Sequence, residues 1–131
     1  NDTLIRRKEI CNRYTEKFSA YRWFDAPLFE TSDAESCYHL YMLHVASISE
    51  AQRDEVIRIV AEQGIALNVH FQPLPLLSLY KGLGYRMEDY PNAWNQYAAE
   101  ISLPVYYTLS NEDVDRVADA VIEAVQSVIK S

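Results

Sequence analysis

The stretch GIALNVHFQPLPLLSLYKGLGY, residues 64–85, combines a helix-ending glycine, a predicted strand, a histidine and a proline-stiffened loop. Gly64 is expected to end a helix, because glycine tolerates the left-handed backbone that often follows the last helical turn. Residues 65–71 are predicted to form a short strand. His70 lies near the end of that strand, where a rigid element can hold a polar side chain over a pocket.

The second half of this stretch contains two prolines and two glycines. Pro73 and Pro75 restrict the backbone and predict an extended exit from the strand. A short helical segment is expected from about Leu76, and Gly82 and Gly84 are expected to end it. No other part of the chain points as clearly to a function.

Composition limits the class of protein. The chain has 131 residues, which fits one domain, and its 49% hydrophobic and 24% charged residues are ordinary for a globular protein. The net charge is −7, and the one basic cluster is Arg6, Arg7 and Lys8, so nucleic acid is not an expected partner. No apolar run reaches the ~20 residues of a membrane span, and no signal-peptide pattern is present.

Two cysteines, Cys11 and Cys37, lack the close spacing of a metal or redox motif. We expect both to be reduced core thiols of a cytoplasmic protein. The sequence starts Asn1-Asp2-Thr3, without an initiator methionine, and enters a helical pattern almost at once. Such a start is expected for a piece cut from a longer chain.

The segments before residue 64 predict a helix, a lead-in, a strand and a second helix. The first helix is expected from residue 2 or 3 to about residue 19, with an apolar stripe of Leu4, Cys11, Tyr14 and Phe18. Residues 37–46, CYHLYMLHVA, are apolar on both faces and predict a central strand that is covered on both sides. Residues 21–29 are expected to be mostly irregular and to contain a short strand. That strand is expected to pair antiparallel within the sheet. Ser49 and Gln52 form a capping box for the second helix, whose expected buried stripe is Val56, Ile57, Val60 and Ala61.

The segments after residue 85 predict a helix, an extended stretch and a final helix. The first of these helices is expected to start at Asp89, Tyr90 and Pro91, with Trp94, Tyr97, Ala98 and Ile101 on one face. Residues 102–107 are expected to be extended. Ser110 and Asp113 start the last helix, with a buried stripe of Val114, Val117, Ala118, Val121, Val125 and Val128. The sequence predicts an α+β fold: a small, mostly antiparallel sheet of about three strands covered by helices, containing one β-α-β unit.

Histidine and cysteine chemistry finds little support in these patterns. His39 and His44 are five residues apart on one predicted strand and point to opposite faces, so they cannot ligate one metal ion together. We expect both to be hydrogen-bonded strand residues. Cys37 shares a strand face with His39, but a thiol in an apolar strand has a raised pKa and makes a poor nucleophile.

Lysine chemistry finds equally little support, because a covalent lysine needs a dry pocket. Lys8 and Lys17 lie on the charged face of the first predicted helix, and Lys130 is next to the end of the chain. Lys81 is expected to be a solvated charge in a loop. The residues therefore predict no catalytic, cofactor-binding or metal-binding residue within this chain.

Five segments, in this order and spacing, resemble the C-terminal small domain of the DegT/StrS-type pyridoxal-phosphate sugar aminotransferases, which are of fold type I. They are RRKEICNRYTEKF, YHLYMLHV, VIRIVAEQGIALNVHF, PLPLLSLYKGLGY and DYPNAWNQYAAEISLPVYYTLSNEDVDRVADAVIEAV. The resemblance covers nearly the whole chain. It implies a small domain that closes over a large N-terminal domain, which carries the cofactor lysine and the phosphate site.

The resemblance further implies transfer of an amino group from an amino-acid donor, typically glutamate, to a nucleotide-linked keto-sugar. Pyridoxal phosphate would belong to the full-length protein, and no cofactor is expected on this chain alone. The implied partners are the large N-terminal domain, the nucleotide-sugar, the amino donor and a second copy in a homodimer. The chain by itself is expected to be inactive.

The family's small domain shows a histidine and an aromatic residue after the Gly-Ile strand, followed by Pro-Leu-His. His70 and Phe71 match the first pair, whereas Pro75 replaces the second histidine. The motif therefore suggests His70 as a substrate-binding residue with Phe71 packing beside it. Gln72 is a weaker substrate-binding candidate, and so is Tyr80. An equally open alternative is that His70 only hydrogen-bonds backbone at the strand end. Tyr106 is expected to be a core residue.

Two other functions stay open at this stage. The complete set of capped helices is also consistent with a stand-alone interaction or ligand-binding module. The small domain of another fold-type I enzyme is a further alternative, because fold alone does not set chemistry. Loss of the large domain is expected to expose apolar surface that it normally covers, which predicts self-association through the His70 loop or the first helix.

Overall fold

The computed structural model describes residues 2–130. The elements, in chain order, are α1 (Asp2–Phe18), β1 (Phe24–Asp25), β2 (Tyr41–Val45), α2 (Glu50–Glu62), α3 (Ser78–Gly82), α4 (Pro91–Ala98), β3 (Glu100–Leu103) and α5 (Asn111–Ile129). Short 3-10 turns at Leu74–Leu76 and Met87–Asp89 flank α3. The fold is α+β, as the sequence predicts.

The three strands form one antiparallel sheet in the order β1-β2-β3, so β2 is central and β1 pairs with it as predicted. Tyr41 lies opposite Leu103 and Leu43 opposite Ile101, and these four side chains are buried in the main hydrophobic core. Side chains alternate along a strand, so the other face of β2 and β3 carries a more polar set. That set is Met42, His44, Glu100 and Ser102. The two members on β2 are only half-buried, so the prediction that β2 is covered on both faces is wrong.

The strand that completes the sheet is not the predicted one. Residues 65–71 form no strand and contribute a single antiparallel bridge, between Asn68 and Ser102. The strand beside β2 is β3. The sequence pattern predicted the first residues of β3 as helix and the last ones as an extended stretch. A strand has two edges, and β1 and β3 occupy both edges of β2. Residues 65–71 therefore lie outside β3, and residues 2–130 contain no β-α-β unit.

β2 begins four residues later than predicted, because the backbone turns at Tyr38. Tyr38 has a φ of 53°, a left-handed value that ends an extended strand. Its ring is buried, and its hydroxyl lies within hydrogen-bonding distance of the Glu30 carboxylate at 2.5 Å and of the Glu35 carboxylate at 3.1 Å. Cys37 is left exposed, so the prediction of a core thiol there is wrong. Cys11 is buried as predicted, and burial raises the pKa of its thiol to about 12.

The start and the end of α2 follow the sequence. The Ser49 hydroxyl accepts from the amide of Gln52 over 3.2 Å, and the Gln52 side chain accepts from the amide of Ser49 over 2.9 Å. Gly64 follows the helix with a φ of 75°. Of the predicted buried stripe, Val56 and Val60 are buried, while Ile57 is half-buried and Ala61 is exposed. Arg53, which the stripe did not include, is buried.

Helices α1 and α5 pack together and supply much of the core. The predicted stripe of α5 is buried at every position, and the Ser110 hydroxyl accepts from the amide of Asp113 over 3.0 Å at its start. The stripe of α1 is buried at Cys11, Tyr14 and Phe18, together with Ile10, whereas Leu4 is exposed. Across the two helices, both Arg13 and Lys17 pair with Asp115.

Candidate functional site

Two polar residues of β3 lie buried on the sheet face opposite the main core. Glu100 and Ser102 are two residues apart and therefore share that face. Glu100 is fully buried, and Ser102 is 4% exposed. Buried polar groups need hydrogen-bond partners, and here residues 68–70 provide them.

A bridge at Asn68 positions the histidine over these two residues. The amide of Asn68 donates to the carbonyl oxygen of Ser102 over 3.2 Å, and the amide of Ser102 donates to the carbonyl of Asn68 over 2.8 Å. Two residues later, the His70 amide donates to Glu100 Oε2 over 2.9 Å. The segment that carries His70 is thus held to β3 at Asn68 and again at the His70 amide.

Hydrogen bonds between side chains also connect Glu100, Ser102 and His70. The Ser102 hydroxyl donates to Glu100 Oε1 in a short hydrogen bond. His70 Nδ1 lies 2.7 Å from Ser102 Oγ. Glu100, Ser102 and His70 therefore form one continuous hydrogen-bonded chain from the buried carboxylate to the half-buried imidazole, and we call it the Glu100–Ser102–His70 chain.

Burial dominates the electrostatics of Glu100. It raises the pKa of the carboxyl above its ordinary value, and the hydrogen bonds from Ser102 and from the His70 amide act in the opposite direction. Arg53, itself buried, lies close by and donates to the Glu100 carbonyl over 3.4 Å and to the Tyr97 carbonyl over 2.7 Å. Its guanidinium also stacks over the Tyr97 ring at 4.9 Å. Arg53 therefore fixes the junction of α4 and β3, where Glu100 begins.

The three predicted substrate-binding residues are adjacent at the surface. His70 is half-buried, and Phe71 is 73% exposed with its ring edge-on to the imidazole at 4.6 Å between centroids. The peptide bond between them is cis. Gln72 is exposed. The imidazole contacts a serine hydroxyl, whereas the sequence offered backbone as the alternative partner.

The weaker candidates lie elsewhere or differ from expectation. Tyr80 and Pro75 line a surface cleft of about 400 Å³ together with Pro73, Leu74, Tyr85, Tyr90 and Ala93. Tyr106 is 51% exposed, so its prediction as a core residue is wrong. His39 is exposed and lies outside β2, while His44 lies within hydrogen-bonding range of Asp25 and of the Asn95 carbonyl, each at 3.4 Å.

The lysines of the described residues do not fit pyridoxal phosphate. The Lys8 amine pairs with Glu30 and Glu35, and the Lys17 amine pairs with Asp119 over 2.6 Å. The other two, Lys81 and Lys130, are exposed. A lysine that forms a Schiff base needs a dry pocket, and none of the four occupies one. Within residues 2–130 there is also no cluster of three or more metal-ligating side chains, and no helix is long and apolar enough to cross a membrane.

Sequence reasoning found His70 but missed its supports. Glu100 and Ser102 stand in the segment EISLP, where polar and apolar residues alternate with the period of a strand. The helical pattern that starts at Asp89, Tyr90 and Pro91 continues to Ile101 and conceals that alternation. Arg53 gave no signal, because a charged residue on an amphipathic helix is expected to be exposed.

Comparison with known proteins identifies the family. The profile of the DegT/DnrJ/EryC1/StrS aminotransferase family matches residues 1–122. The chain belongs to this family. Spore coat polysaccharide biosynthesis protein SpsC of Bacillus subtilis is 36% identical to this chain, in an alignment that covers 99% of this chain and 33% of SpsC. A UDP-4-amino-4,6-dideoxy-N-acetyl-β-L-altrosamine transaminase of Campylobacter jejuni is 28% identical over 97% of the chain and 33% of that protein.

Solved structures of family members agree with the fold. Spr1654 of Streptococcus pneumoniae, a protein assigned as a sugar aminotransferase, superimposes with a TM-score of 0.93 at 38% identity, over 98% of this chain and 32% of that one. Spr1654 has also been solved in forms with PLP and with PMP. The chain spans about a third of the length of the relatives it matches and corresponds to their C-terminal portion.

Proposed function

We propose that this chain is the small C-terminal domain, residues 1–131, of a pyridoxal-phosphate-dependent aminotransferase that acts on a nucleotide-linked keto-sugar. Family membership and the one-third coverage of longer relatives support this proposal. The nucleotide-sugar substrate is inferred from the transaminase of Campylobacter jejuni. The observation that carries the proposal is the Glu100–Ser102–His70 chain, which fixes a histidine of the family motif at the surface.

His70, Phe71 and Gln72 form one wall of the substrate cleft in this proposal. His70 offers a ring nitrogen, Nε2, that Ser102 does not hold. The exposed face of Phe71 suits contact with the apolar face of a sugar or a base. The exposed amide of Gln72 carries both donors and acceptors for hydroxyl groups. Pro75, which stands where the family pattern has a second histidine, lies in the cleft with Tyr80.

The cofactor and the other partners belong to the rest of the longer protein. No lysine of residues 2–130 suits a Schiff base, so we place pyridoxal phosphate and its lysine on the large N-terminal domain. That domain, an amino-acid donor such as glutamate, and a second copy in a homodimer are the proposed partners. The chain alone is therefore inactive, and its expected cytoplasmic location stays a prediction.

Two preparations test the proposal: this chain, and the longer protein encoded by its complete reading frame. We expect cofactor absorbance and transfer of an amino group to a nucleotide-linked keto-sugar only in the longer protein. Within that protein, His70→Ala is expected to raise KM for the sugar by about tenfold, the effect of one lost hydrogen bond. His39→Ala is the matched control, since His39 is exposed and distant in sequence from the site, and it should leave KM unchanged. Cofactor bound to this chain alone, or equal KM values for both variants, would contradict the proposal.

The second candidate is a stand-alone interaction or ligand-binding module. It is supported by the continuous core and by the capped helices, which suit a unit that folds by itself. An open reading frame that continues upstream for ~200 or more residues, enough for another domain, would eliminate it.

A further inference from the structure

The hydrogen atoms of the Glu100–Ser102–His70 chain can be placed by counting donors. When Glu100 is ionised, its carboxylate only accepts hydrogen bonds, and it receives two, from the His70 amide and from the Ser102 hydroxyl. A serine hydroxyl has one hydrogen, and in this arrangement that hydrogen points to Glu100. Ser102 Oγ can therefore only accept from His70, whose Nδ1 lies 2.7 Å away.

This count decides the tautomer of the imidazole. A neutral histidine carries its proton on one ring nitrogen and a lone pair on the other. If Nδ1 donates to Ser102, the proton is on Nδ1 and the lone pair is on Nε2. We propose that Glu100 and Ser102 are positioning residues that hold His70 in the Nδ1–H tautomer, so that Nε2 accepts a hydrogen bond from substrate.

The tautomer restricts which substrate group His70 can receive. An Nε2 lone pair accepts from a hydroxyl or an N–H group and is unfavourable beside a phosphate oxygen, which is itself only an acceptor. His70 is thus matched to a sugar hydroxyl, a sugar amide or a base N–H, and the diphosphate of the nucleotide lies elsewhere. This assignment of substrate group depends on the proposed function, whereas the tautomer itself does not.

Substitution of Glu100 by glutamine is expected to give the opposite tautomer of the His70 imidazole. The His70 amide still needs an acceptor, so the Gln oxygen takes the place of Oε2 and the Gln amide group faces Ser102. The amide then donates to Ser102 Oγ, which frees the serine hydrogen to donate to Nδ1. Glu100→Gln is therefore expected to invert the tautomer, placing the proton on Nε2.

The measurement is a two-bond 15N–1H correlation spectrum of the histidine rings in this chain, recorded at about pH 8, where histidine is ordinarily neutral. The chain has three histidines, so His70→Asn identifies the signals of His70, and His39 and His44 act as internal references. We expect the Nδ1–H pattern in the natural sequence, the Nε2–H pattern in Glu100→Gln, and loss of the Nδ1–H preference in Ser102→Ala. Ser102→Thr keeps the hydroxyl and should keep the Nδ1–H pattern.

An Nε2–H pattern in the natural sequence would overturn the proposal, and so would an Nδ1–H pattern that survives both Glu100→Gln and Ser102→Ala. Amide spectra report whether each variant is folded. If Glu100→Gln does not fold, the comparison of Ser102→Ala with Ser102→Thr decides the question. The readout needs neither cofactor nor substrate, so failure of the proposed aminotransferase activity leaves the tautomer result unaffected, and the reverse also holds.

Discussion

Residues 2–130 divide into a body that contains the buried core and an arm in which no residue is buried. We define the body as residues 2–65 and 98–130, and the arm as residues 66–97. All buried residues of the described chain belong to the body, and not one residue of the arm is buried. The arm nevertheless contains many large apolar residues with at least a third of their surface exposed: Phe71, Leu74, Leu77, Leu79, Leu83, Tyr85 and Tyr90.

The difference bears first on stability. The body has a closed core with capped helices, and the free energy of folding resides there. The arm is attached to it through the Asn68 bridge and the His70 hydrogen bonds at one end and through α4 at the other. Large exposed apolar patches mark places where proteins contact other molecules, and Leu74, Tyr85 and Tyr90 of the arm line one cleft. We infer that the arm is the contact surface and that the body holds it in position.

Hydrogen exchange gives the largest expected contrast between the two regions. Amides in β2 and α5 should exchange only through global unfolding, while amides of α3 should exchange through local opening. With a global stability of ~5 kcal/mol or more, the body amides should exchange about 10³-fold more slowly. Exchange measured peptide by peptide in mass spectrometry checks this. Arm peptides as slow as those of α5 would remove the distinction.

Substitution of matched leucines gives the next largest effect. Leu43→Ala removes a fully buried side chain from the central strand and should lower the free energy of unfolding by about 2–5 kcal/mol. Leu79→Ala, at a side chain 68% exposed in the arm, should change it by less than about 0.5 kcal/mol. Urea unfolding measures both free energies of unfolding, and the comparison requires that the two variants have equal m-values. Equal losses of stability would show that the arm is part of the core.

Self-association should depend on the arm. We expect this chain to associate at high concentration, and the double variant Leu79→Glu/Leu83→Glu to weaken association by about tenfold or more, because each leucine buried at an interface contributes about 1.5–3 kcal/mol. Leu28→Glu is the control, since Leu28 is 81% exposed but lies in the body. Ile5→Glu tests whether α1, the other predicted surface, contributes to self-association. Sedimentation measures the association, and a purely monomeric natural chain would count against the prediction.

The smallest expected effect is a pH dependence at the junction of body and arm. The pKa of Glu100 is raised in the folded state, so its carboxyl binds a proton more tightly there than in the unfolded chain. Its stabilising contribution is fully present below the unfolded pKa and is lost as pH rises through the folded pKa. Glu100→Gln, which does not titrate, should therefore gain stability relative to the natural chain as pH rises through that window. Thermal unfolding at a series of pH values tests this, and a difference that stays constant with pH would contradict it.

The sequence predicted the helices of the body well, because an apolar stripe with a cap is a local pattern. The stripe of α5 and the capping box at Ser49 are examples. The third strand could not be predicted in the same way, since residues 65–71 show a better strand pattern than Glu100–Leu103, and only pairing with β2 decides between them. The left-handed backbone at Tyr38 likewise has no signal in a residue type that normally favours strands.

For the candidate site, the family motif led to His70, Phe71 and Gln72, and their adjacency at the surface follows from the sequence itself. Glu100 and Ser102 lie some thirty residues further along the chain and meet His70 only through the Asn68 bridge. A contact of that kind depends on tertiary structure. The exposure of the arm depends further on which surface covers it, and a single chain contains no pattern for that.

Hydrogen exchange in the longer protein, with and without a nucleotide-linked keto-sugar, tests the central claim most directly. If the arm supplies one wall of the substrate cleft, the sugar should slow exchange in the peptide that contains His70, Phe71 and Gln72 and leave the peptides of α5 unchanged. Equal exchange of the His70 peptide with and without the sugar, under conditions where the sugar is bound, would contradict the account.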